Sequence, residues 1–307
     1  MKVLSVVITA LLAAESTGSW FDIEKKTKAS GTERISPRIV NGSATSIVRF
    51  PWMVRLRTKY HKKWHGCGGA ILTPKHVITA AHCIRRKLNR EPRKIMVRYG
   101  SSVRARMREV RVRGYYRHER YSQQTFSNDI AVLLLDQALK LSKKTKAIRI
   151  SGTDADLAGK KVIVAGWGRP EEGASRRTEN LRYTSQVVWP PNKCRRKLRS
   201  FNEEIHICAY GKISSTCKLL FMMALDSRKT SSFSRKLAQV PGLLSKAGDS
   251  GGPVMIRNGN NIEMVGLVSY GIGCNRKGVP SGYTRISHYR SWIANALSNN
   301  DSYKMLK

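Results

Sequence analysis

An all-β fold, sandwich or barrel, is what the sequence predicts from residue 39 onward, and three observations carry that expectation. Short apolar runs recur between turn residues: "WMVRL" (52–56), "GGAILT" (68–73), "HVITAAH" (76–82), "KIMVRY" (94–99), "IAVLLL" (130–135), "KKVIVAGWG" (160–168) and "EMVGLVSYG" (263–271). That spacing belongs to many short strands rather than to alternating strands and helices. In "VRARMREVRVR" (103–113), Arg104, Arg106 and Arg108 alternate with Val103, Ala105 and Met107, the pattern of a strand with one buried face. The phase slips at Glu109 and resumes with Arg111 and Arg113 opposite Val110 and Val112, which predicts a bulge there. A helical period is clear only at the end, where Tyr289, Trp292, Ile293 and Ala296 fall at i, i+3, i+4 and i+7, with Ser287 placed to cap them.

The elements ahead of residue 39 read differently. "MKVLSVVITALLAAESTGS" (1–19) has a lysine, an apolar run and then small residues, the order of a secretory signal peptide. Its apolar run falls short of the roughly 20 residues needed to span a bilayer, and no later segment comes closer. Residues 20–38 are polar and free of cysteine, as in a short pro-segment. The expectation is therefore a secreted, extracellular domain over 39–307 with no transmembrane segment.

Composition narrows the class further. With 307 residues, 41% hydrophobic and 25% charged, the chain is not disordered throughout. Six cysteines, Cys67, Cys83, Cys194, Cys208, Cys217 and Cys274, are permitted to form disulfides after export, in any of 15 connectivities. Zinc is the rival use, but no CxxC pair occurs and Cys194, Cys208 and Cys217 are too widely spaced for a compact knuckle. The net charge of +37 attracts polyanions such as sulfated glycans or nucleic acid; the bland reading is a solvated basic face.

Three motifs converge on one chemistry. In "TAAHC", His82 is the side-chain type suited to take and return a proton near neutrality, though a lone histidine beside a cysteine is more often structural. In "NDIAVLLL", Asp129 stands before an apolar strand, where it also fits a turn. In "GDSGGP", glycines flank Ser250 and free backbone N–H groups to face a substrate oxygen, with Asp249 available to anchor the loop. Together they supply a base, an orienting acid and a nucleophile in the chain order His, Asp, Ser.

With these motifs the chain, from Ile39 to about Leu297, resembles the trypsin and chymotrypsin family of serine endopeptidases. The resemblance implies two packed antiparallel six-stranded β-barrels with a C-terminal helix, a cleft between them, and no cofactor or metal. It implies His82, Asp129 and Ser250 as catalytic residues and the N–H groups of Gly248 and Ser250 as the oxyanion hole. "SPRIVNG" (36–42) looks like the family's activation site: an activating protease cuts after Arg38, and the new amino group of Ile39 pairs with Asp249. The implied disulfides are Cys67–Cys83, Cys194–Cys208 and Cys217–Cys274. "GWG" (166–168) and "GLVSYG" (266–271) also fit, the latter resembling the strand that pairs with substrate backbone and so implicating Ser269 in substrate binding.

One feature departs from the family pattern, which has a cysteine four residues before the nucleophile, where this chain has Lys246. Removing 29 residues, 218–246, restores "CxGDSGGP" and shortens 39–307 from 269 to 240 residues. A long segment without a sustained period is uncommon in a compact domain, so 218–246 reads as foreign to the fold, as from translated intron sequence; a regulatory insertion is the rival. With it set aside, the pocket floor is Ser215 and the walls are Gly271 and Ser281. No aspartate stands there to hold a Lys or Arg side chain, so the resemblance implies a chymotrypsin-like preference for large apolar side chains in protein or peptide substrates. The rival function is a catalytically impaired homologue acting as a basic extracellular binding protein.

Overall fold

The computed structural model describes residues 42–84, 91–152, 156–168, 177–211, 249–271 and 278–306. The expected signal peptide, the pro-segment with Arg38 and Ile39, and the segment 218–246 lie outside the described residues, as do Ser215, Cys217, Gly248 and Cys274. Within the described part, a short strand β1 (Ser43–Ala44) precedes the first barrel, built from β2 (Met53–Tyr60), β3 (Lys63–Thr73), β4 (His76–Thr79), β5 (Lys94–Tyr99), β6 (Arg108–Arg117) and β7 (Ala131–Leu135). Antiparallel pairing runs β2–β3–β4–β7–β6–β5 and returns from β5 to β2, closing six strands.

After β8 (Arg149–Ile150) come β9 (Lys161–Gly166), β10 (Arg182–Val188), helix α1 (Pro191–Lys197), β11 (His206–Tyr210), β12 (Pro253–Asn258), β13 (Asn261–Gly271) and β14 (Ser281–Arg285). The second barrel closes in the order β9–β10–β11–β14–β13–β12, with β12 back against β9. β1 extends it beside β10, and β8 adds a parallel pairing to β13. The chain then forms helix α2 (Arg290–Ser298) and a last strand β15 (Lys304–Met305) on β6. Closure leaves few unpaired strand edges, the liability of open sheets.

Each apolar run finds its burial here. β7 is apolar throughout because both of its faces are covered. Ala131, Leu133 and Leu135 face the first barrel's core with Val54, Leu56 and Ile71, while Val132 and Leu134 pack beneath Ala296 of α2 and Tyr303. The second barrel holds Val162, Val164, Ile207, Val254 and Tyr283 inside. Between the barrels a third cluster joins Met53, Ala70 and Ile78 to Trp167, Met255 and Leu267, so the two halves share one apolar seam. Ile293 and Ala296 of α2 and Tyr289 just before it are buried at the expected spacing, while Trp292 is only half-buried.

Three expectations are corrected. Arg104–Arg106 is a 3-10 turn, not strand: Glu179 captures its backbone, its carbonyl accepting from Arg104 N at 3.0 Å and its Oε1 from Ala105 N at 2.7 Å. β6 starts at Arg108, and its register shift lies between Val112 and Gly114 rather than at Glu109. At Gly114 an added Cβ would stand 2.8 Å from Met305 Sδ, so β15 approaches where there is no side chain. Ser287 does not cap α2, because a 3-10 turn over Ile286–Tyr289 leads into the helix and no side chain caps it. α1 is a further helix, opened by Pro190–Pro191 and too short to display an apolar period.

Candidate active site

His82 stands on a 3-10 turn, Ala81–Cys83, that follows β4. Ala80 and Ala81 are fully buried and small, so the turn sits flush on the barrel end. The Cys67–Cys83 disulfide ties the same turn to β3. Asp129 is delivered by the loop before β7. Asn128 there has φ 55°, a left-handed conformation that asparagine tolerates, and is held by Asn128 Nδ2 donating to Arg120 O at 2.9 Å and by Tyr289 OH donating to its Oδ1 at 3.0 Å.

The two side chains are joined directly. His82 Nδ1 lies 2.8 Å from Asp129 Oδ2, and His82 backbone N donates to Asp129 Oδ1 at 2.9 Å. Asp129 has no solvent exposure. The second barrel contributes to its hold: Ser269 Oγ of β13 donates to Oδ2, and Thr284 Oγ1 of β14 donates to the Asp129 carbonyl at 2.9 Å. A carboxylate on Nδ1 leaves Nε2 as the acceptor of the neutral ring.

Ser250 comes from the other barrel, on the loop ahead of β12. Gly68 N of β3 donates to Ser250 O at 2.7 Å, Gly251 N to Val268 O at 2.8 Å and Gly252 N to Asp249 O at 2.9 Å, which fixes the loop across the seam. Gly251 has φ 80°, and a Cβ on it would stand 2.2 Å from Thr79 Oγ1, so only glycine fits. Ser250 is 2% exposed, and its Oγ has no hydrogen-bond partner among the described residues. The bond to the imidazole is therefore not made in this structure, where His82 Nε2 has Cys83 Sγ at 3.7 Å.

Asp249 is buried with its carboxylate in a cradle of two glycines. Gly168 N donates to Oδ1 at 2.8 Å, and a Cβ on Gly166 or Gly168 would stand 2.0 Å from a carboxylate oxygen. Burial raises its pKa from 3.8 to about 6, against the lowering effects of the Gly168 N–H and the charge of Arg177. Gly271 ends β13 opposite Ser281 of β14, and Ser281 is buried.

Two features of the site escape the sequence motifs. Phe126, at φ 58°, stacks on Tyr270 with ring centroids 5.4 Å apart and lies nearly perpendicular to the His82 ring at 6.4 Å between centroids, forming an aromatic wall beside the imidazole. Its only sequence signal is its place in "TFSND", just ahead of Asn128. Thr284 carried no signal. The ligand-type atoms of Cys67, His82 and Cys83 gather within 4.8 Å, but the two sulfurs are bonded to each other and are not thiolate donors. Cys194–Cys208 is the second disulfide.

Comparison with known proteins agrees with this architecture. A family model described as Trypsin matches residues 39–218 and 230–293. Among curated relatives, Trypsin beta of Drosophila erecta is 30% identical over 266 residues, covering 85% of this chain and 89% of the relative. Trypsin alpha-4 of Lucilia cuprina is 30% identical over 270 residues, covering 87% and 90%. Trypsin alpha of Drosophila melanogaster is 29% identical, covering 87% and 90%. The chain belongs to the trypsin family of serine peptidases. Its double-barrel fold is that family's fold, and none of its described helices is long and apolar enough to cross a membrane.

Proposed function

We propose that the chain is a secreted serine endopeptidase, made as a zymogen, that hydrolyses peptide bonds with His82, Asp129 and Ser250. The observation that carries this is the doubly bonded His82–Asp129 pair, held by the second barrel, next to a loop that presents Ser250. In the reaction, His82 Nε2 takes the Ser250 hydroxyl proton as Oγ attacks the substrate carbonyl, and later delivers it to the leaving amine. Asp129 fixes the tautomer and stabilises the imidazolium. The N–H groups of Gly248 and Ser250 receive the charge that builds on the carbonyl oxygen; one such donor is worth about 10² to 10³ in rate.

Cleavage after Arg38 is the switch in this reading. Asp249 lies buried in its glycine cradle with a raised pKa, the setting in which a newly formed Ile39 ammonium gains most by pairing. The unmade bond at Ser250 Oγ fits an uncleaved precursor. It also favours a second reading, a catalytically impaired homologue that binds partners through its basic surface. Specificity would be set by Ser215, Ser269, Gly271 and Ser281, for large apolar side chains before the cleaved bond.

Hydrolysis of peptides carrying Phe, Tyr or Leu before the bond, measured before and after cutting at Arg38, tests the proposal. Turnover should rise sharply with the cut. Equal turnover before and after a cut confirmed by N-terminal sequencing rules the switch out, and none in either form leaves the binding-protein reading.

A further inference from the structure

Beside the nucleophile loop, the first barrel concentrates arginines where the reaction itself does not call for them. Arg55 on β2 is paired with Gly68 on β3, whose N–H holds Ser250 O at 2.7 Å. Two residues along β3, Arg177 Nη1 and Arg55 Nη2 lie 2.7 and 3.1 Å from where a Cβ on Gly66 would stand. The two guanidinium groups thus share one patch of backbone, open because residue 66 has no side chain. Arg98 sits opposite Arg55 on β5, while Arg57 and Arg104 complete the cluster.

Arg55 is 7% exposed, and among the described residues no carboxylate lies within ion-pair reach of it. Glu109 is engaged with Arg57 at 3.4 Å and Arg98 at 3.7 Å, and Glu179 with Arg104 at 3.7 Å, while the charge of Arg177 also acts on the buried Asp249. Burial, then the charges of Arg177, Arg104, Arg98 and Arg57, push its pKa down to about 9, so at neutral pH it remains a cation among cations. A buried, uncompensated charge is costly, and guanidinium pairs geometrically with a carboxylate.

We propose that Arg55 and Arg177 form an anion subsite that takes the carboxylate of an Asp or Glu among the first three residues after the cleaved bond. The inference rests on the peptidase reading above. In that reading the substrate's acyl part runs along Ser269–Gly271 of β13, so the leaving part crosses the Cys67–Cys83 disulfide toward Gly66. Gly66 lies about 7 Å along β3 from Gly68, the reach of two extended residues. Arg55 is too enclosed for a glycan chain to lie over it, whereas a single carboxylate can enter.

The test reads binding on the Ser250→Ala variant, cut after Arg38, so that it does not depend on turnover. Fluorescent peptides with one Phe carry Glu or Gln at each of the three positions after it, or at the three before it. At physiological salt, Glu should lower Kd at least about tenfold at one position after Phe. That gain should drop below about twofold in Arg55→Met and in Arg177→Gln, the second serving if the first fails to fold. An equal gain for Glu before Phe, which is what the general positive charge alone produces, overturns the proposal. So does a gain that survives both substitutions, or no binding of any peptide. Turnover by the unmutated chain reports separately on the peptidase reading.

Discussion

His82 and Asp129 are joined twice, through backbone N to Oδ1 at 2.9 Å and through Nδ1 to Oδ2 at 2.8 Å, so the acid fixes both the turn and the ring it carries. Asp129→Asn would offer an amide N–H where the ring N–H must donate and force the other tautomer. We expect kcat to fall by about 10⁴, the family precedent for this change, with KM little altered. Steady-state kinetics on one peptide substrate checks both numbers.

Asp249 makes the uncut chain sensitive to pH. Its pKa is raised from 3.8 to about 6 on folding, chiefly by burial, so between those values the folded state binds the proton and the unfolded state does not. Stability therefore falls as pH rises through that window, by roughly 3 kcal/mol in all. Urea unfolding of the Ser250→Ala chain from pH 3.5 to 7 should show the decline, Asp249→Asn should flatten it, and cutting after Arg38 should relieve it as the Ile39 ammonium arrives.

Gly168 is restricted by Asp249. A Cβ there would stand 2.0 Å from Oδ2, a collision that neither backbone nor carboxylate absorbs easily. Gly168→Ala should cost about 1–3 kcal/mol and slow activation by displacing Asp249. Denaturant midpoints give the first effect, and the rate of appearance of activity after cutting gives the second.

Residues 218–246 separate Cys217 from the nucleophile loop. Their deletion should raise turnover by at least about tenfold, or 1.4 kcal/mol of transition-state stabilisation, by restoring the approach to Gly248. If the intact chain is already fully active and its transcript keeps these codons, the segment is a working surface loop.

The fold was legible where burial alone writes the pattern. Seven apolar runs are strands, and β7 reads as continuous "AVLLL" because α2 covers its second face. Barrel closure was not legible from the runs themselves, since β2 meeting β5 and β9 meeting β12 are long-range registers that a period of two cannot specify. The basic stretch misled because Glu179, some 70 residues on, takes the backbone of Arg104 and Ala105 out of strand pairing. At the site, motif order placed His82, Asp129 and Ser250 on three short stretches. Phe126, Thr284, Arg55 and Arg177 had no motif, because their neighbours come from distant parts of the chain that only the fold brings together.

On the peptidase reading, Ser250 becomes a nucleophile under His82 once the chain is cut at Arg38. A fluorophosphonate, which forms a bond to an activated serine Oγ with loss of fluoride, measures this directly when the adduct is mapped by mass spectrometry. One adduct is expected, on Ser250, formed far faster after the cut than before and abolished by His82→Ala. An unlabelled Ser250 in the cut, folded chain would contradict it.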